Sequence, residues 1–122
     1  MFRNLRFVYV TTTSKEEARK IGRVIVEEKL AACANIIDGM ESIYQWKGEI
    51  ETASECVLIF KTTYSNVSRL SERVKALHSY EVPCIISINL AEQEGNEDYL
   101  EWIIQSARRP ISADSDFSPD DR

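Results

Sequence analysis

The chain has 122 residues, 43% hydrophobic and 29% charged, which fits one soluble domain with a single core. Its 15 basic and 20 acidic residues give a net charge of −5. That balance speaks against a nucleic-acid-binding face and against an anionic membrane surface as partner. No apolar run approaches the roughly 18 residues of a membrane span, and Met1-Phe2-Arg3-Asn4-Leu5-Arg6 lacks the pattern of a signal peptide. Cys33, Cys56 and Cys84 are odd in number and form no C-x-x-C pair. They argue against a disulfide framework, a zinc finger or a thioredoxin-type motif, and for a reduced cytoplasmic protein.

In chain order, Phe7-Val8-Tyr9-Val10 is a short apolar run that predicts a strand covered on both faces or central in its sheet. Ser14-Lys15-Glu16-Glu17 has the spacing of a capping box, and Ala18, Ile21, Gly22 and Ile25 continue at helical spacing. The first helix is expected from Lys15 to Lys29. Two strand-like arms follow within Cys33 to Lys61. Asp38-Gly39 marks a bulge or bend in the first arm, and Gly48 supplies a tight turn between the two. Val67, Leu70, Val74 and Leu77 define a second helix, from Ser65 to His78. Pro83 opens a strand from Cys84 to Leu90. Asn96 caps a third helix, Glu97 to Ala107, which Pro110 stops. The serine- and aspartate-rich residues 110–122 are expected to be a disordered acidic tail, leaving 1–109 as the folded domain.

The order β-α-β-β-α-β plus a terminal helix predicts an α+β, ferredoxin-like sandwich with a long β2-β3 hairpin and an added C-terminal helix. Strands usually have about 5–6 residues, so arms this long would protrude from so small a body. Their edges would lack partners, and Ile43, Tyr44 and Trp46 near the tip would face water. The hairpin therefore predicts a homo-oligomer.

His78-Ser79-Tyr80-Glu81-Val82-Pro83-Cys84 holds the only histidine, a cysteine, an acid and a tyrosine in one turn. His78, Glu81 and Cys84 are the candidate metal ligands, although copper or zinc centres take three or four donors. The structural alternative for His78 is a place at a helix C-terminus, where the helix dipole favours imidazolium. A Cys84–His78 nucleophilic pair lacks any marked orienting residue or oxyanion hole, so no enzyme is expected. Thr11-Thr12-Thr13-Ser14 could seat an anion at a helix start but lacks a phosphate loop's glycines and lysine, and ordinary capping suits it better. Lys61 is a strand-end lysine that becomes an anion or carboxylate partner if it points into a cleft. Tyr99 and Trp102, three apart on the third helix, suit core or interface packing.

Five ordered stretches resemble the CutA divalent-cation-tolerance family. They are Glu28-Lys29-Leu30-Ala31-Ala32-Cys33-Ala34-Asn35-Ile36, Ser42-Ile43-Tyr44-Gln45-Trp46-Lys47-Gly48-Glu49-Ile50, Phe60-Lys61-Thr62-Thr63, His78-Ser79-Tyr80-Glu81-Val82-Pro83 and Tyr99-Leu100-Glu101-Trp102-Ile103. Together they span about residues 6–108. The resemblance implies a ferredoxin-like subunit in a tight homotrimer, similar in design to PII signalling proteins. It also implies tolerance of divalent metals, with binding of a divalent ion such as copper. A cluster of Trp46, Lys61, His78, Tyr80, Tyr99 and Trp102 would then gather near an inter-subunit cleft. The rival implication is a PII-like small-molecule sensor whose cleft holds an anion against Lys61. Ser79 stands where the family usually has proline, and Cys84 where many members have glutamate. Val10 and Leu77 replace a cysteine and a second histidine found in some members, so a copper site of that His/Cys kind is not expected.

Overall fold

In the computed structural model, residues 4–91 and 93–108 are described. The elements are β1 (Leu5–Thr12), α1 (Lys15–Glu27), β2 (Cys33–Trp46), β3 (Glu49–Thr63), α2 (Tyr64–Leu77), β4 (Ile85–Asn89) and α3 (Glu97–Ser106). The four strands form one antiparallel sheet in the order β2-β3-β1-β4. This is the α+β, ferredoxin-like order expected from the sequence, with β1 inside the sheet. The expected tail, 110–122, and Pro110 lie outside the described residues.

Strand alternation divides the apolar residues between the two faces of the sheet. Val8, Val10, Cys56, Leu58 and Phe60 point one way and meet Ala18, Ile21 and Ile25 of α1 and Leu70 and Val74 of α2. All ten are fully buried. Gly22 lets α1 lie close, because a Cβ there would come within 3.2 Å of Ala34 Cβ. The other face carries Phe7, Tyr9, Val57, Ile59, Ile86 and Ile88, as the register of β1 with β3 and β4 shows. Here α3 covers only one end, where Leu5, Ala32, Ile103 and Ala107 form a second small core. Beyond it the face is open: Ile86 is 53% exposed and Ile88 44%. Phe7 and Tyr9 are half-buried on this side, so of the two readings for β1 the central place in the sheet holds and full cover on both faces does not.

The local signals act as the sequence leads one to expect. Ser14 Oγ accepts the Glu17 N–H at 3.1 Å and caps α1. Asn96 Oδ1 accepts the N–H groups of Asp98 and Tyr99 and caps α3. The register of β2 against β3 shifts between Ile37 and Met40, and Gly39 there has φ +83°. Lys47 and Gly48 both take positive φ, the geometry of a two-residue hairpin turn that follows strand twist. Helix α1 ends at Glu27, two residues before the expected Lys29, because Lys29 itself takes φ +59°. Helix α2 begins one residue early, at Tyr64, and β4 is one residue shorter at each end than the expected Cys84–Leu90.

The hairpin arms have 14 and 15 residues and run well past the helices. Ile43, Tyr44, Trp46 and Ile50 near the tip are all exposed.

Candidate functional site

The sequence-predicted site residues occupy three separate places in one chain. His78, Tyr80, Glu81 and Cys84 lie in the turn between α2 and β4. Lys61 lies at the opposite end of the sheet, beside Tyr99 and Trp102 of α3. Trp46 sits at the hairpin tip, paired with Glu49, 12 residues along β3 from Lys61 (49 to 61). That separation is about 40 Å of strand, so Trp46 cannot join the others within one chain.

The turn is built around His78. Its backbone N–H closes α2 on Val74 C=O, and its ring folds back on β1. Nδ1 accepts the Tyr80 backbone N–H at 3.0 Å. A backbone amide only donates, so the ring proton belongs on Nε2, which lies 2.8 Å from Thr11 C=O and donates to it. The side chain is fully shielded from water. The Tyr80 ring lies 5.2 Å from the imidazole, and Tyr80 is 40% exposed. Burial pushes the Tyr80 hydroxyl's pKa up, and the Glu55 carboxylate adds to the rise.

Glu17 ties this turn to α1. One carboxylate oxygen accepts the Thr13 N–H at 2.9 Å and the Thr13 hydroxyl at 3.0 Å. The other accepts the Ser79 N–H at 2.8 Å and stands 3.9 Å from His78 Nδ1. Burial alone would raise the carboxyl's pKa, but these bonds outweigh it and leave it at about 2. The Glu17 carboxylate thus takes the place at the helix start that the threonine run offers to an anion. Thr12 donates instead to Ser14 C=O. The capping reading of Thr11-Thr12-Thr13-Ser14 holds.

Cys84 is hydrogen-bonded to Thr11, and burial pushes its thiol pKa up, away from the thiolate a metal prefers. Glu81 lines a groove with Ser71, Lys75, Val82, Pro83 and Ile85. Among the described residues no three His, Cys, Asp or Glu side chains converge as a metal centre. His78, Glu81 and Cys84 therefore do not form a ready three-donor site: both imidazole nitrogens are spent on backbone groups, and burial raises the thiol's pKa.

At the other end, Lys61 lies on the open face of β3, opposite Cys33 of β2. Its Nζ donates to Tyr99 Oη at 2.9 Å. That bond raises the lysine pKa, against the lowering effect of burial. The Tyr99 and Trp102 rings lie 5.4 Å apart, inclined at 32°, and each residue is 43% exposed. Lys61 and the aromatic pair, read separately in the sequence, form one group.

Sequence reasoning missed two participants. Glu17 was legible only as a capping residue, and its bond to Ser79 spans 62 positions. Thr11 meets His78 through its carbonyl, which every residue possesses, so no side-chain signal marks that role.

The fold and the open hairpin define the class: a ferredoxin-like α+β subunit with one sheet face left bare. The family model for CutA1 divalent ion tolerance protein matches residues 6–106, and the chain belongs to that family. It is 49% identical over 96 residues to the divalent-cation tolerance protein CutA of Thermus thermophilus, covering 79% of this chain and 91% of that one. It is 45% identical to the chloroplastic protein CutA of Arabidopsis thaliana, over 83% of this chain but 54% of that one, so it spans about half of the plant relative. The crystal structure of CutA1 from Oryza sativa superposes with a TM-score of 0.82 at 43% identity, covering 87% of this chain and 95% of that one.

Proposed function

We propose that this chain acts in divalent-cation tolerance as a non-enzymatic, cytoplasmic homotrimer that binds divalent ions, copper among them, weakly. The names borne by its relatives support the tolerance role. Among the described residues no helix is long and apolar enough to cross a membrane. One observation carries the assembly: the open sheet face and the hairpin together expose Ile37, Ile43, Trp46, Ile50, Ile86 and Ile88. So much bare apolar surface is costly in water and marks an interface. Extended arms give another copy both apolar side chains and strand edges to pair with. In the trimer a neighbour's hairpin brings Trp46 toward the other candidate residues, which one chain holds apart.

The weakness of metal binding follows from the turn. A cation bound by His78 must displace the Tyr80 N–H or Thr11 C=O from the imidazole, and one bound by Cys84 must first remove the thiol proton. Each displacement subtracts from the affinity.

Light scattering at micromolar concentration tests assembly: a three-subunit mass is expected, and a folded monomer would refute it. Calorimetric titration of the reduced protein with Cu(II) and Zn(II), repeated on His78→Ala and Cys84→Ser, tests the metal. Weak binding that either substitution reduces supports the turn as the site. Binding untouched by both moves the cation elsewhere.

A further inference from the structure

Lys61 is more than a solvated strand end, because α3 sets a hydroxyl and an aromatic ring against its ammonium. It lies on the open face of an inner strand, partly buried, and its ammonium is held on Tyr99 Oη at 2.9 Å. No carboxylate among the described residues lies within ion-pair distance of it, in a chain with 20 acidic residues. An ammonium has three protons to donate, and this structure uses one. Among the described residues Tyr99 alone steadies this ammonium, through the bond to its hydroxyl and a ring centroid 5.2 Å from Nζ, and no negative charge answers it.

Tyr99 adds a second donor. Because its oxygen accepts from Lys61, its own hydroxyl proton is free to point outward. The ammonium and the phenol thus offer two neighbouring donors to one acceptor group. Beside them the half-exposed Tyr99 and Trp102 rings form an apolar shelf. One cation and one hydroxyl suit a singly charged group. A phosphate would call for an arginine fork or several backbone N–H groups.

We propose that Lys61, Tyr99 and Trp102 form a binding site for a small organic carboxylate that carries a flat apolar ring. The carboxylate sits on Lys61 Nζ and Tyr99 Oη, and the ring packs on Trp102. The inference goes beyond the cation reading and is independent of it: a failed metal titration leaves it standing, and its own failure leaves the tolerance role untouched.

The test uses the full chain and sodium 2-naphthoate as probe, with 2-naphthylmethanol and acetate as comparators. Calorimetry gives the affinity, and the Trp102 indole N–H resonance, one of two in the chain, reports the place. The expected result is a naphthoate-dependent shift at Trp102, with both comparators binding about 10-fold more weakly or worse. Lys61→Met should weaken naphthoate about 10-fold or more, Lys61→Arg should retain most of the affinity, and Trp102→Leu should weaken it several-fold. Unchanged circular dichroism confirms that each variant folds. Should Lys61→Met fold poorly, Lys61→Arg with Tyr99→Phe, which removes only the second donor, replaces it, and a loss confined to Tyr99→Phe supports the site. No shift at Trp102, or naphthoate and the alcohol binding alike, overturns the proposal.

Discussion

The two faces of the sheet are written in the same strands, one residue apart, yet they do different work. Leu58 and Phe60 point to α1 and α2 and are fully buried. Ile59, between them, points to the open face with Tyr9 and Ile86. Both sets are apolar, so hydropathy alone does not separate them. The difference lies in what the chain itself supplies to cover each. Two helices seal one face, while α3 reaches only the Leu5 end of the other. Burial on the helix side holds the subunit together, and the bare side is the face that the proposed assembly would cover.

The sharpest way to break this contrast is to charge the bare face. Ile86→Lys together with Ile88→Lys should abolish the proposed trimer and, if the subunit folds only within it, the helical signal at micromolar concentration. Both should return as protein concentration rises. A native-like monomer would show that the helix-covered face suffices alone, and an unchanged trimer would show that this face is not the interface. Phe60→Ala probes the sealed face. It should cost about 3–5 kcal/mol in denaturant unfolding at fixed concentration while the folded fraction stays trimeric.

A second contrast sets the two ends of the sheet against each other by pH. Glu17 holds the His78 turn through a carboxyl whose pKa falls from 4.5 to about 2 on folding. The folded value is the lower one, so this contribution is fully present above pH 4.5 and is lost as pH falls toward 2. Glu17→Gln should cost on the order of 2–3 kcal/mol at pH 7, and the gap to the parent should close between pH 4.5 and 2. Chemical denaturation across that range checks it. A gap that stays constant with pH would mean that folding does not hold the Glu17 carboxyl below its ordinary range. The Lys61 end should be indifferent over the same interval, since its ammonium stays charged there.

Much of this was legible in the sequence because turns and caps are local. Ser14, Asn96, Asp38-Gly39 and Lys47-Gly48 each announce a backbone event within a few residues. The end of α1 was not, because Lys29 takes positive φ where no glycine signals it. The site was less legible than the fold. His78 was identifiable as the unusual residue, but its nitrogens bind the Thr11 carbonyl and the Tyr80 amide, groups without sequence identity. The pairing of Lys61 with Tyr99 depends on how α3 packs over the sheet, 38 residues on. Sequence spacing gives neither. The scattering of Trp46, Lys61 and His78 over three places follows from the same limit, since a pattern names residues and only topology places them.

The smallest expected effect separates the local cap from the longer-range tie at the start of α1. Ser14 Oγ accepts the Glu17 N–H, while the Glu17 side chain holds Thr13 and Ser79. Ser14→Ala removes the cap and should cost about 1 kcal/mol at pH 7. If the two act independently, the double variant with Glu17→Gln should lose the sum of the two costs. They share the Glu17 backbone, however, and neighbouring groups rarely add. A fraying helix start would let the carboxylate leave Ser79, so the double variant should lose less than the sum. Strict additivity would show instead that the turn fixes Glu17 on its own, and that the His78 end of the sheet is set by β1 and the turn rather than by α1.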